Sequence, residues 1–208
     1  MNIEETKKIT LSLINTFNEA GHIALNLRKA GLKKEIKADN TPVSNGDIEV
    51  NKILIKKISE ITPEIIIVSE ENTAHKSDKG LKDFWLIDPI DGTRDYINNR
   101  DEFTLNAALI INKKPALGII TVPAKERVFY SYGLSNSYEL INDREINLND
   151  KKKNYEGFKA VSYSSELKSE ILEVHKKYNI ISHQKMKSSL KFCVVAAGEF
   201  DLYVAEPR

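Results

Sequence analysis

Residues 85–93 read WLIDPIDGT. An apolar run, Trp85-Leu86-Ile87, meets Asp88 and then, three residues on, Asp91; Pro89 and Ile90 lie between them, and Gly92 and Thr93 follow. The spacing predicts a short strand, Trp85 to Asp88, that breaks into a turn bearing a carboxylate at each end. Two carboxylates converging at a strand end suit a hard divalent cation, which takes oxygen ligands. Pro89 stiffens the turn by fixing its φ, and Gly92 lets the backbone approach a ligand closely. Thr93 is placed to cap a following helix, whose first N–H groups attract an anion. Metal and phosphate would then have adjacent seats. The same letters also suit an ordinary turn, because Asp, Pro and Gly are turn residues whatever their function, and spacing alone leaves both readings open.

The chain has 208 residues, enough for one large domain or two small ones. Its 41% hydrophobic content can build a core, and 29% charged residues fit a solvated surface. A net charge of +1 supplies no global field toward a nucleic acid polymer or a membrane. Lys151-Lys152-Lys153 is expected to be a solvated loop. Cys193 is the sole cysteine, which excludes an internal disulfide and a zinc cysteine cluster. It lies in the apolar run FCVVAAG and is expected to be a buried, inert thiol. His22, His75, His175 and His183 are scattered without ligand spacing. The N-terminus, MNIEETKKIT, lacks the apolar core of a signal peptide, and no apolar stretch reaches the length of a membrane span. A cytoplasmic protein is expected.

Ile9, Leu13, Phe17, Ala20, Ala24 and Leu27 have helical spacing, so the first segment is one amphipathic helix ending near Gly31. KADNTPVSNGD is a loop by composition, and Ser44-Asn45 opens a second helix that Pro63 ends. A strand over 65–68 runs into Ser69-Glu70-Glu71. Segments 103–111 and 116–122 form an antiparallel pair about NKKP, and 128–132 and 138–141 continue the sheet. The polar stretch DREINLNDKKKNYEG is a loop that separates two lobes, 1–142 carrying the acidic motif and 143–208, within one compact unit. Beyond it come a strand at 158–163, a helix at 165–177, a strand at 180–182, a helix at 188–197 and a strand at 202–204. The class is α+β.

Asp47 starts the second helix and Glu70 follows a strand, so both join Asp88 and Asp91 at element ends. If the strands of Glu70 and Asp88 are neighbours, the cluster repels itself unless cations occupy it. Mg²⁺ suits such a place, being held by a few carboxylates together with water and substrate phosphate.

Four pieces, TPVSNGD (41–47), VSEEN (68–72), WLIDPIDGTRDYI (85–97) and SSLKFCVVAAGEFDLYV (188–204), give the chain its likeness to a known family. It resembles the lithium-sensitive, magnesium-dependent phosphatase superfamily of inositol monophosphatase, fructose-1,6-bisphosphatase and 3′(2′),5′-bisphosphate nucleotidase. The resemblance implies a layered α-β-α-β-α sandwich, hydrolysis of a small phosphorylated metabolite and two or three Mg²⁺ ions. It implies that Glu70, Asp88 and the Ile90 carbonyl hold the first metal and that Asp88 and Asp91 hold the second. Asp47 and Thr93 would orient the attacking water. Gly92 and Thr93 would offer N–H groups to phosphate, and Arg94, Ser164, Ser189 and Lys191 would complete the substrate-binding set.

NNRDEFTLNAALI (98–110) and SSLKFC (188–193) look like the bisphosphate nucleotidase branch, which would release phosphate from adenosine 3′,5′-bisphosphate. Ser189 would then bond the substrate and Lys191 would offset its second phosphate; Ser188 also reads as a simple helix cap. AVSYSS (160–165) departs from that branch's Ser-Arg-Ser-His, so Tyr163 and Ser165 remove a cation and an imidazole. Inositol-1-phosphatase-like activity is therefore the second reading. Similar proteins also continue past Ala-Glu-Pro-Arg into a Trp-Asp motif whose aspartate serves the second metal. On that likeness the last elements of the sandwich are missing here and the substrate lobe is shortened. The expected outcomes are a weakly active or inactive phosphate-binding remnant, or a homodimer that covers the gap.

Overall fold

A computed structural model describes residues 1–38, 40–72, 80–150 and 157–205. The lysine run 151–153 lies outside the described residues.

Helix α1 (Ile3–Ala30) begins with a capping box. Asn2 Oδ1 accepts from Glu5 N at 2.9 Å, and Glu5 Oε2 accepts from Asn2 N at 2.8 Å, so two N–H groups that the helix leaves unpaired are satisfied at once. Helix α2 (Asn45–Ile61) starts the same way, from Ser44 and Asp47. Between the two helices the composition suggested only loop, yet Lys34–Ile36 (β1) and Pro42–Ser44 (β2) form an antiparallel hairpin. Three-residue strands are too short for a period-2 pattern to show in sequence.

After α2 come β3 (Ile66–Ser69), β4 (Phe84–Asp91) and the short α3 (Thr93–Ile97). The meander β5 (Thr104–Ile111), β6 (Lys114–Val122), β7 (Arg127–Tyr132), β8 (Ser137–Ile141) and β9 (Arg144–Asn147) follows. The seven strands lie in the order β3-β4-β5-β6-β7-β8-β9. β3 and β4 are parallel and every other pair is antiparallel. Strand β9 is a correction, since residues 143–157 read as loop. Asn142 and Asp143 both adopt positive φ (49° and 59°), the backbone of a tight hairpin turn, and that Asn-Asp pair was the signal available in the sequence.

Alternation along the strands makes the main core. Leu105, Ala107 and Leu109 of β5 point to the same face, where they join Trp85, Ile87, Leu117 and Ile119 beneath Leu13, Phe17, Ala20 and Ala24 of α1 and Val50, Leu54 and Ile58 of α2. The buried Trp85 indole N–H donates to Thr62 Oγ1 at 2.9 Å.

The rest of the chain forms a parallel three-stranded sheet, with β10 (Phe158–Ser162) between β11 (Ile180–Lys185) and β12 (Leu202–Tyr203). Helix α4 (Ser169–Lys177) begins four residues later than its pattern suggested and lies against β11, where His175 meets His183 with ring centroids 5.9 Å apart. Helix α5 (Leu190–Ala196) packs Leu190, Cys193 and Val194 between Val122 and Phe129 of the large sheet and Val161 of β10. Arg127 of β7 binds both Glu139 of β8 and Glu199 beyond α5, fastening the layers together. The architecture is the expected α-β-α-β-α stack. Burial pushes the Cys193 thiol up to about 12, as suits an inert cysteine. Among the described residues, no helix is long and apolar enough to cross a membrane.

Leu109 is fully buried under the helices, whereas Leu86 on the opposite face of the sheet is half exposed. Leu109→Ala should lower unfolding free energy by about 2–5 kcal/mol in urea titrations, and Leu86→Ala by no more than about 0.5 kcal/mol.

Candidate active site

Strand β4 does not break at Asp88. It runs through Pro89 and Ile90 to Asp91, and its pairing with β5 slips on the way: Asp88 stands opposite Asn106 and Asp91 opposite Thr104. Two residues of β4 therefore face one of β5, which is a β-bulge. In a regular strand, residues three apart point to opposite faces. The extra residue turns Asp91 back to the side of Asp88, because their partners Asn106 and Thr104 share a face of β5. Pro89 fits there, where the ladder does not need its missing N–H. The expected turn is thus a bulged strand end, with the same two carboxylates brought together.

Glu70 arrives from the next strand. Ser69 pairs with Ile87 in the parallel ladder, and Glu70 N donates to Ile87 O at 3.0 Å. Burial pushes the Asp88 carboxyl up to about 8, aided by the negative charges of Glu70 and Asp91 and by a hydrogen bond with Glu70. Asp88 Oδ1 is buried and finds no hydrogen-bond partner among the described residues. Lys37, just beyond β1, places Nζ 2.7 Å from Glu71 Oε1 and 3.6 Å from Glu70 Oε1. Among the described residues, no three His, Cys, Asp or Glu side chains are arranged to hold an ion as they stand. The chemistry of the set nevertheless fits a hard cation: all donors are oxygens, and one of them is a buried carboxylate oxygen with no proton donor.

Asp47 is buried at the start of α2. Its Oδ2 accepts from Ser44 N at 2.8 Å and Ser44 Oγ at 2.7 Å, while Oδ1 lies 3.2 Å from Thr93 Oγ1. Burial raises its pKa, and the hydrogen bonds from Ser44 and Thr93 oppose the rise. The Thr93 hydroxyl also lies 3.0 Å from Ile90 O, so its one proton has two acceptors to choose between. Thr93 does not cap α3; the N-cap is Gly92, in the left-handed region at φ 91° and without a side-chain cap bond. A Cβ on Gly92 would lie 3.0 Å from Glu102 O and 3.4 Å from Ser188 Cβ, so a glycine is needed for space as well as for φ.

Ser189 is brought to the site, its hydroxyl donating to Asp91 Oδ2 at 2.8 Å. It is the N-cap of α5, while Ser188, at φ 52°, accepts from Leu190 N at 3.3 Å. Lys191 folds back so that Nζ donates to Ser188 O at 2.6 Å and stands over the Phe192 ring. Among the described residues, neither Ser164 nor Arg94 is seen in contact with the acidic cluster. Ser164 Oγ accepts from Glu166 N at 3.2 Å, and Arg94 lines a separate cleft with Lys34 and Ile97. Sequence reasoning missed Lys37, Ser44 and Asn106. Ser44 had a usable signal, a serine three residues ahead of Asp47, which is the spacing of a capping box. Asn106 does not stand out in sequence, because it matters only through its register with Asp88.

The pattern of the inositol monophosphatase family matches residues 5–208. CysQ of Buchnera aphidicola, a 3′(2′),5′-bisphosphate nucleotidase, is 32% identical over 207 residues, covering 95% of this chain and 75% of that protein. The crystal structure of CysQ from Bacteroides thetaiotaomicron superposes with a TM-score of 0.69 at 28% identity, over 93% of this chain and 78% of that one. An IMPase/NADP phosphatase complexed with Mg²⁺ and phosphate superposes at 0.74 with 15% identity, over 97% and 74%, a likeness of fold. The chain belongs to the inositol monophosphatase family, a family of phosphatases.

Without metal, Asp88 makes stability depend on pH. Between the ordinary aspartate value and about 8, the folded state keeps a proton that the unfolded chain has released, so stability falls as pH rises. In chelator-treated protein, Asp88→Asn should therefore melt above wild type at pH 8, and the two should converge near pH 4 in calorimetric scans. A constant difference across that range would contradict the assignment.

Proposed function

We propose that this chain is a Mg²⁺-dependent phosphomonoesterase acting on a nucleoside 3′,5′-bisphosphate, with adenosine 3′,5′-bisphosphate giving AMP and phosphate. The observation that carries the reading is geometric: the β4 bulge turns Asp88 and Asp91 to one face, Glu70 N donates to Ile87 O on the adjoining strand, and Asp47 Oδ1 lies 3.2 Å from Thr93 Oγ1. The identity with CysQ proteins supports the substrate. Mg²⁺ would be held by Glu70, Asp88, Asp91 and the Ile90 carbonyl, and would supply Lewis acidity and positive charge to the phosphoryl oxygens.

The residues of the chain do the rest. When the Thr93 hydroxyl donates to Asp47 Oδ1, its lone pairs are free to accept a hydrogen bond from a water. As that water attacks phosphorus, its proton passes to Thr93 Oγ1 and the Thr93 proton to Asp47 Oδ1. Burial makes Asp47 a stronger base than a surface aspartate, and Ser44 fixes the orientation of its carboxylate. Gly92 and Thr93 offer backbone N–H groups to the phosphoryl oxygens. Ser189, by donating to Asp91, holds that carboxylate in place.

A second reading, an inositol-phosphate-type monoesterase, draws support from Ser189 and Lys191. Both are engaged inside the protein rather than turned toward a second phosphate. On either reading the protein works in the cytoplasm on a small phosphorylated metabolite. A homodimer would double the mass seen by light scattering.

Phosphate release from adenosine 3′,5′-bisphosphate should exceed release from inositol 1-phosphate, require Mg²⁺ and fall with Li⁺. Asp88→Asn should lower it by about 10³-fold or more, and Thr93→Val by about 10²–10⁴-fold. Release that survives Asp88→Asn would overturn the reading. The reverse substrate order would favour the second reading.

A further inference from the structure

Tyr96 lies three residues beyond Thr93, on α3, and is fully buried. Its hydroxyl donates to Ala24 O of α1 at 2.7 Å. Its ring packs against Phe103, with centroids 4.8 Å apart. The Arg28 guanidinium stands over both rings, 6.0 Å from Tyr96 and 5.3 Å from Phe103. Arg28 is in turn bound to Arg100 O at 2.7 Å and to Asp101 Oδ1 at 2.9 Å. The ring is thus held at its hydroxyl by α1 and at its side by Phe103, which directly precedes β5.

Its remaining edge rests on Gly46, in the first turn of α2. A Cβ at Gly46 would stand 2.4 Å from the Tyr96 hydroxyl oxygen, 2.7 Å from Cε1 and 2.8 Å from Cζ. Gly46 is absent from the positive-φ glycines, so its backbone does not require a glycine. Its lack of a side chain serves close approach. The next residue is Asp47.

We infer that Tyr96 is a positioning residue: pinned by Ala24 and Phe103, it is the spacer between the first turn of α2 and that of α3, and it holds Asp47 Oδ1 at 3.2 Å from Thr93 Oγ1. The inference rests on the roles proposed for Asp47 and Thr93. That separation is already longer than an ordinary hydroxyl hydrogen bond, so a displacement that moves α2 away by a few tenths of an ångström breaks it. Gly46→Ala forces α2 and the ring apart, and the bond to Ala24 O and the Phe103 contact resist movement of the ring, so α2 gives way.

The test compares wild type, Gly46→Ala, the double variant Gly46→Ala/Tyr96→Leu and Tyr96→Phe. It measures kcat, KM and amide hydrogen exchange at Asp47 and Thr93. Gly46→Ala should lower kcat by about 100-fold while KM stays within about twofold. The double variant, which vacates the space the new methyl needs, should recover at least about tenfold of that loss. Tyr96→Phe keeps the ring on Gly46 but loses the Ala24 anchor, and should lower kcat about fivefold at constant KM. It carries the test if Gly46→Ala does not fold, and an unchanged kcat in Tyr96→Phe would then overturn the inference. Wild-type kcat in Gly46→Ala, or a double variant no better than Gly46→Ala, would also overturn it. If wild type releases no phosphate, the proposed function fails and the exchange rates decide. Faster exchange at both Asp47 and Thr93 in Gly46→Ala, reversed in the double variant, upholds the spacer; unchanged exchange at Thr93 rejects it.

Discussion

Pro89 and Ile90 together stand opposite one residue of β5, Leu105, and the site depends on that mismatch. A regular strand would have buried one of the two aspartates among the apolar residues beneath α1 and α2 and left the other on the far face. The bulge puts both on one side, while Ile90 itself enters the main core. It also concentrates negative charge where burial already disfavours it, so Asp88 is pushed up to about 8 when nothing neutralises it. A shared cation would relieve that repulsion, and the fold supplies one part-remedy in Lys37, paired with Glu70 and Glu71.

The layers around this point act as its support. The parallel β3–β4 pair brings Glu70 beside Asp88, and the capping box of α2 fixes Asp47 by two hydrogen bonds from one serine. The C-terminal part of the chain reaches the same place through Ser189, whose hydroxyl meets Asp91 across 98 positions of sequence. Glu102 Oε2, accepting from Lys187 N at 3.0 Å, ties down the segment that carries that serine. Asp47, Glu70 and the Asp88–Asp91 pair therefore come from three different elements, and the site exists only when these elements are assembled.

Much of this was legible in the chain. The long periodicity of α1, the serine start of α2 and the alternation in β5 and β6 are local patterns, and the structure follows them. The acidic motif, with Glu70 after one strand and Asp88 after the next, was readable for the same reason. What escaped was set by register and by distance. The β1–β2 hairpin and β9 are too short or too polar to show a period. The bulge is invisible because Asp-Pro-x-Asp spells a turn until β5 supplies the opposing ladder. The capping role given to Thr93 belongs to Gly92, since a left-handed φ at that position outranks a hydroxyl. Lys191 and Ser189 stand where expected along α5, but their side chains bond inward, a choice that only the assembled neighbourhood decides.

The central claim is that Asp88 and Asp91, turned to one face by the bulge, bind one Mg²⁺ ion together. Calorimetric titration of Mg²⁺ into wild type, Asp88→Asn, Asp91→Asn and the double variant tests it directly. The account predicts that each single substitution removes the binding event that the two carboxylates share and that the double variant loses no more than Asp88→Asn does, because Asp91 serves no ion that Asp88 does not. Full-strength Mg²⁺ binding in either single variant, or losses that simply add, would contradict it.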